Sequence, residues 1–141
     1  MSLIASARSI PGTLRQEVVV DGSHRLITDE PVAVGGEGSA PSPHELLPAS
    51  LAACISTTIV MYARTKEWEL GDVSVDVEYD HRATPRRFDV SICITGDLTD
   101  DQRIRLERVA ETCPVRKALE GKVKVVEWID QRSGAIARPT M

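Results

Sequence analysis

The sequence predicts a fold of the α+β class, antiparallel strands packed with helices, and three observations carry that prediction. An Asp21-Gly22 pair separates two β-rich runs, "TLRQEVVV" and "HRLITDEP", which is a strong hairpin signal. From Leu46 to Ala63 the run "LLPASLAACISTTIVMYA" carries no charge and reads as one long helix. Farther on, Phe88, Val90, Ile92 and Ile94 alternate with Asp89, Ser91, Cys93 and Thr95, the period of a strand with one apolar face.

Composition bounds what such a fold can do. The 141 residues fit one domain, taken as 1–141, large enough to bury most of its apolar surface without a metal or disulfides. With 17 basic and 21 acidic residues, no long basic run and few aromatics, the chain is a poor candidate for nucleic-acid binding. The opening "MSLIASARSIPG" has no basic segment followed by a long apolar run, so no signal peptide is expected and the cytoplasm is the expected compartment. Three cysteines, Cys54, Cys93 and Cys113, are too few and scattered for a disulfide framework. Any disulfide in a reducing compartment should be transient and chemical.

The elements follow in order. After the opening hairpin, "VAVGGEGSAPS" has no period and lacks the lysine of a phosphate-binding loop, so it reads as a plain connector. The long helix starts at "SPHE": Ser42 caps, Pro43 suits the first helical position, and Glu45, three after the cap, completes a capping box. Leu47, Leu51, Cys54, Ile55, Thr58 and Tyr62 share one stripe, so Cys54 is expected on a packed face. Pro48 should remove a backbone hydrogen bond and bend the first turns. The uncharged run reaches the length of a membrane span. Pro48, Ser50, Ser56, Thr57 and Thr58 dilute it and no second span follows, so we read no membrane partner and a helix buried nearly all round.

Two more strands are expected around "GDVSVDVEYD" and "RRFDVSICITG", with Cys93 on the less apolar face. "TDDQ" sets a second capping box, Thr99 to Gln102, ahead of a helix whose Leu106, Val109, Ala110 and Cys113 form an apolar stripe. A last strand, "KVKVVEWI", is expected before a polar tail from Asp130.

Between them lies "AETCPVRKALEG". A residue before proline is pushed out of helical geometry, so the helix should stop near Thr112, while Pro114 opens a new one that ends at Gly121. Cys113 then becomes an N-cap whose sulfur faces free backbone N–H groups, with Arg116 and Lys117 nearby, all favouring thiolate. Equally, Cys113 could fill a core gap at the end of the stripe. Cys54, among Ala52, Ala53 and Ile55, reads from position alone as an inert small hydrophobe, though its small neighbours would leave room for a substrate. Cys93 reads as structural. His24, His44 and His81 stand at no metal-ligand spacing, and neither a metal nor a cofactor is expected. Cys-His chemistry with His44 would have to span roughly 15 Å along a continuous helix.

These residues also carry a resemblance. "SPHELLPASLAACISTTIVMYARTKEW", with the earlier "DEP" and "GG" and the later "CPVRKALE", resembles the OsmC/Ohr family (osmotically inducible protein C and organic hydroperoxide resistance protein), in its OsmC-like branch. The pairing of an "AAC" helix with a distant "CP" is the specific part. The resemblance implies an OsmC-like α+β fold, an antiparallel sheet packed on a long central helix, assembled as an intertwined homodimer. It implies that Cys54 attacks an organic hydroperoxide and becomes a sulfenic acid, that Cys113 resolves it to a disulfide, and that a dithiol such as a lipoyl group reduces the bond. An arginine that activates the thiol carries over to Arg15, with Arg8 and Arg25 as other candidates. The glutamate that holds it in the family's peroxidases is replaced here by His44, with Glu45 one place later. The competing expectation is a non-catalytic OsmC-like protein that binds a small apolar ligand or senses thiol redox state.

Overall fold

In the computed structural model of the chain, which describes residues 2–131, two antiparallel sheets and three helices succeed one another. Strands β1 (Ala5–Ser9), β2 (Gln16–Val20) and β3 (His24–Thr28) form one sheet in that order. The helix α1 (Leu46–Lys66) follows, then the hairpin of β4 (Val73–Asp80) and β5 (Arg87–Ile94), and then α2 (Asp100–Ala110) and α3 (Pro114–Glu120). The α+β expectation holds, and its physical basis is the switch between a period of two and a period near 3.6 along the sequence.

The predicted hairpin forms where Asp21 (φ 52°) and Gly22 (φ 69°) take left-handed backbone, joining Val20 to His24. Sequence reasoning missed β1, which pairs Ala5 to Ser9 with Val20 to Gln16. It is short, small-residued and exposed, so it has no apolar alternation to announce it.

The segment taken as a plain connector is built around a carboxylate. Asp29, fully buried, accepts from the amides of Glu30 (2.8 Å), Glu37 (3.2 Å) and Ser39 (3.0 Å) and from the Ser39 hydroxyl (2.7 Å). These bonds hold its pKa down to about 2, those from Ser39 most of all. Gly36 passes so close to the Glu30 carbonyl that no Cβ fits there.

Both capping boxes form as expected, at Ser42 with Glu45 and at Thr99 with Gln102. The first turn at Pro43–Glu45 is a 3-10 turn, so α1 proper begins at Leu46. Pro48 therefore falls in the first turn of α1, where an amide has no helical acceptor, and costs α1 no internal bond.

Within this chain α1 is not buried all round. Leu51, Ile55, Ile59 and Ala63 are buried, Cys54, Thr58 and Tyr62 only partly, and Leu47 is exposed. The stripe expected from sequence was thus turned by part of a turn, toward Ile59 and Ala63. Over its length and hydropathy α1 would qualify as a membrane span, yet here its apolar stripe packs on β4, α2 and α3. Across the hairpin, Val73, Val75, Val77 and Tyr79 pair with Ile94, Ile92, Val90 and Phe88, most of them half-buried toward α1. Leu70, Leu106, Ala110 and Cys113 complete the core.

The last predicted strand is not formed. Residues 122–130 have no regular structure, and Val123, Val125 and Ile129 are exposed. A strand is stabilised by a neighbour's hydrogen bonds, and no strand edge among the described residues pairs with the segment. Beyond residue 131, the polar tail lies outside the described residues.

Candidate functional site

Two helix features converge on one pair of sulfurs. Cys54 lies in the middle of α1, half-buried, on the flank of the Leu51-Ile55-Ile59 stripe. Cys113 lies where sequence placed it, as the N-cap of α3, with Pro114 at the first helical position, φ −53° and ψ 125°. It is fully buried. Packing of α1 against α2 and α3 brings Cys113 beside Cys54, and the two free thiols act on each other's protonation. Cys113 is thus both a core residue and the neighbour of Cys54.

Their electrostatics are opposite. Burial works against the Cys54 thiolate, but hydrogen bonds from Cys113, from the Val115 amide and from the Thr58 hydroxyl outweigh it, so the Cys54 pKa falls below the ordinary thiol value. Burial also raises the Cys113 pKa, and its hydrogen bond and proximity to Cys54 raise it further, against the amides of Arg116 and Val115. The fully buried Cys113 therefore holds its proton more tightly than Cys54 does. The sequence ranking, with Cys113 as the better thiolate, is therefore reversed. The backbone N–H groups read as serving Cys113 alone are shared with Cys54, while full burial penalises a charge on Cys113.

The other expected residues are placed less directly. Arg15 sits in the β1–β2 connection, half-buried, its amide bonded to Thr13 Oγ1 at 3.0 Å. Its Nε is buried without a hydrogen-bond partner among the described residues. By contrast Arg25 is tied to Glu17 and Arg8 lies exposed on β1, so of the three arginines only Arg15 has an unmet buried donor. The three-stranded sheet makes little contact with α1 in the same chain, and Arg15 is not among the groups that act on Cys54.

Glu45 spends Oε1 on the Ser42 amide at 3.0 Å, which with the Ser42 side chain lowers its pKa. His44 is exposed and meets the end of the hairpin, edge-on to Tyr79 (5.4 Å between ring centres) and 5.0 Å from His81. Those ring contacts, not a cysteine, are its neighbours in this chain. Cys93 is exposed on β5, opposite Ser74.

Sequence reasoning overlooked two contributors, the Thr58 hydroxyl and the Val115 amide. A hydroxyl one turn beyond a cysteine was a legible signal. The amide became legible only once the sulfur lay beside it. A groove of about 860 Å³ with mixed walls runs between the hairpin and the three helices, apolar at Leu51, Ile55 and Phe88 and charged at Arg87, Glu107 and Arg116, and neither sulfur lines it.

The model of the family described as OsmC-like protein matches residues 36–127 of the chain. Among solved structures, one from Psychrobacter arcticus 273-4, named for osmotic stress induction and a detoxification response, is 32% identical with a TM-score of 0.69, over 81% of this chain and 85% of that one. An organic hydroperoxide resistance protein OsmC from Legionella pneumophila is 30% identical with a TM-score of 0.60, over 86% and 90%. An OsmC-like protein from Mycoplasma pneumoniae, 16% identical over 86% and 89%, shares the fold with a TM-score of 0.70. Among curated proteins a search found no match.

Proposed function

The chain belongs to the OsmC-like protein family, and we propose that it is a thiol-dependent peroxidase that reduces organic hydroperoxides in oxidative-stress defence. The observation that carries this reading is the asymmetric thiol pair, Cys54 favoured as thiolate and Cys113 held as thiol beside it. The Cys54 thiolate attacks the terminal oxygen of the hydroperoxide. The O–O bond breaks, the alkoxide takes a proton and leaves as the alcohol, and Cys54 becomes a sulfenic acid. Cys113 then forms the S–S bond and releases water. A dithiol such as a lipoyl group returns both cysteines to thiols by exchange and is itself oxidised to a disulfide. Its natural setting is the cytoplasm, where resting thiols stay reduced. The name of the Legionella pneumophila relative supports organic hydroperoxides.

The same reading makes the active form a homodimer. Three surfaces need cover: the outer face of α1, where Met61 is exposed, the lightly anchored sheet β1 to β3, and the apolar segment 122–129. A second copy supplies that cover and offers Arg15 a route to the partner's Cys54.

One observation favours the second reading, a ligand-binding or redox-sensing protein without turnover. The carboxylate that would orient an arginine is absent at His44, and Glu45 is committed to its cap. A neutral imidazole cannot neutralise a guanidinium. Stopped-flow oxidation of the reduced protein by cumene hydroperoxide and by hydrogen peroxide separates the two. Fast preference for the organic peroxide, ending in a Cys54 to Cys113 disulfide by mass spectrometry and lost in Cys54→Ser, is expected. A rate no higher than that of a free thiol sinks the peroxidase.

A further inference from the structure

Two of the three histidines meet where the start of α1 touches the end of the β4–β5 hairpin. His44 lies in the turn before α1 and His81 in the turn after β4, and their ring centres are 5.0 Å apart. Both are exposed, and neither imidazole has a hydrogen-bond or ion-pair partner among the described residues, so the nitrogen lone pairs are unspent. A platform beneath holds the pair in place. Tyr79 stacks flat on its cross-strand partner Phe88, 4.1 Å between ring centres, and His44 meets Tyr79 edge-on. The Ser42–Glu45 capping box fixes the turn that carries His44, while the Asp80 carboxylate accepts the amides of Arg82 (3.1 Å) and Ala83 (3.2 Å) around His81. Spacing along the chain gave no sign of this, because ligands read from spacing share one helix or turn, and these two belong to different elements.

We propose that His44 and His81 form a chelating pair for a divalent cation of the zinc and nickel class. A zinc–nitrogen bond of about 2.0 Å sets a ring centre roughly 3.2 Å from the ion, so imidazoles on two tetrahedral positions have centres about 5.2 Å apart. The 5.0 Å found here matches that separation. Since both side chains are exposed, rotation about their own bonds aims one nitrogen of each at a common point without disturbing the core. Imidazole suits zinc and nickel, whereas magnesium and calcium take oxygen ligands and are not held. Among the described residues no third His, Cys, Asp or Glu joins the pair, so water completes the coordination. Binding exchanges water for imidazole, with no redox or covalent change. The bound ion ties the start of α1 to the hairpin and stabilises the folded chain by mass action.

The test follows the imidazole carbon-bound protons of the untagged full chain by nuclear magnetic resonance during titration with zinc chloride and, separately, magnesium chloride. His24, exposed at the start of β3, is the internal control. His44 and His81 should shift together with one dissociation constant for zinc, His24 should stay, and magnesium should move none of them. His44→Ala and His81→Ala should each weaken zinc binding at the remaining histidine by about 30-fold, which is about 2 kcal/mol, and His24→Ala should leave it unchanged. Zinc taken by the thiols is common to all four proteins, and each imidazole reports only on its own surroundings. Unequal constants for His44 and His81, a His24 response as strong as theirs, or full zinc affinity at His81 in His44→Ala would each overturn the proposal. Imidazoles that stay still while the cysteines take the zinc would do the same. If an alanine variant does not fold, the joint titration in the parent decides alone.

Discussion

Between Leu51 and Cys113 apolar side chains close on one another, whereas in the sheet from Ala5 to Thr28 the one buried residue is a threonine whose hydroxyl has no partner among the described residues. The first region is a finished core: α1 against the β4–β5 hairpin, capped by α2 and α3. The second is a hydrogen-bonded ribbon whose strands hold each other and little else. The cysteine pair lies in the finished part, and Arg15, whose buried Nε has no partner among the described residues, lies in the unfinished one. Thiol pairing should therefore belong to the folded chain, and activation by Arg15 to an assembly.

The largest effect should come from the core. Ile59 is fully buried, and Ile59→Ala should cost about 2–5 kcal/mol in urea unfolding, because a cavity remains that α1 cannot close. Val18, half-buried on β2 opposite Ala7 and Leu26, should cost about 1 kcal/mol or less when truncated, the scale of a cross-strand pair. Run at two protein concentrations, the pair of variants becomes sharper. If a second copy covers the sheet, the Val18→Ala penalty grows with protein concentration while the Ile59→Ala penalty persists at both. Equal penalties at every concentration would break the contrast between the regions.

An effect one step smaller falls on chemistry. Arg15→Ala should slow oxidation of Cys54 by cumene hydroperoxide on the order of 10- to 100-fold, which is about 1.4 to 2.7 kcal/mol of barrier, by removing one donor to the breaking O–O bond. Alkylation of Cys54 by iodoacetamide should change little, since Arg15 does not act on that thiol within the chain. Equal losses in both reactions would place Arg15 in the thiol's own electrostatics and erase the division drawn above.

Much of the finished region was legible beforehand. Ser42-Pro43-His44-Glu45 and Thr99 to Gln102 announced their helices through caps, and the bond partners are those the spacing implied. Cys113 before Pro114 fixed an N-cap because proline restricts its neighbour's backbone whatever the tertiary context. What could not be read was burial in three dimensions. Position alone made Cys113 the acid and Cys54 the filler; full burial of Cys113 and donors converging on Cys54 reversed that order. The segment 122–129 misled for a related reason. Its alternating valines record a strand's pattern, but a strand exists only with a neighbour, and no strand among the described residues pairs with it.

The smallest effect sits at the junction of the two regions, where Asp29 ends the ribbon and organises the chain on its way to α1. Its carboxylate is held at about 2, below the ordinary 3.8, chiefly by Ser39. A depressed carboxylate contributes stability that is complete above the unfolded value and is lost as pH falls toward the folded one. The chain should thus be stable at pH 5 and weaken between about pH 4 and 2. Asp29→Asn keeps one acceptor oxygen but turns an amide toward donors, so it should be less stable at pH 5 and should lack the weakening attributable to this group. Urea midpoints at pH 2.5, 3.5, 5 and 7 decide it: the gap between parent and variant should shrink as pH falls. A gap that stays constant would mean that the proton on Asp29 is not linked to folding, and that the junction is held by the backbone bond from the Asp29 amide to the Pro41 carbonyl at 3.0 Å instead. The ribbon would then be tied to the core by its main chain alone, and its independence would be greater than the buried carboxylate suggests.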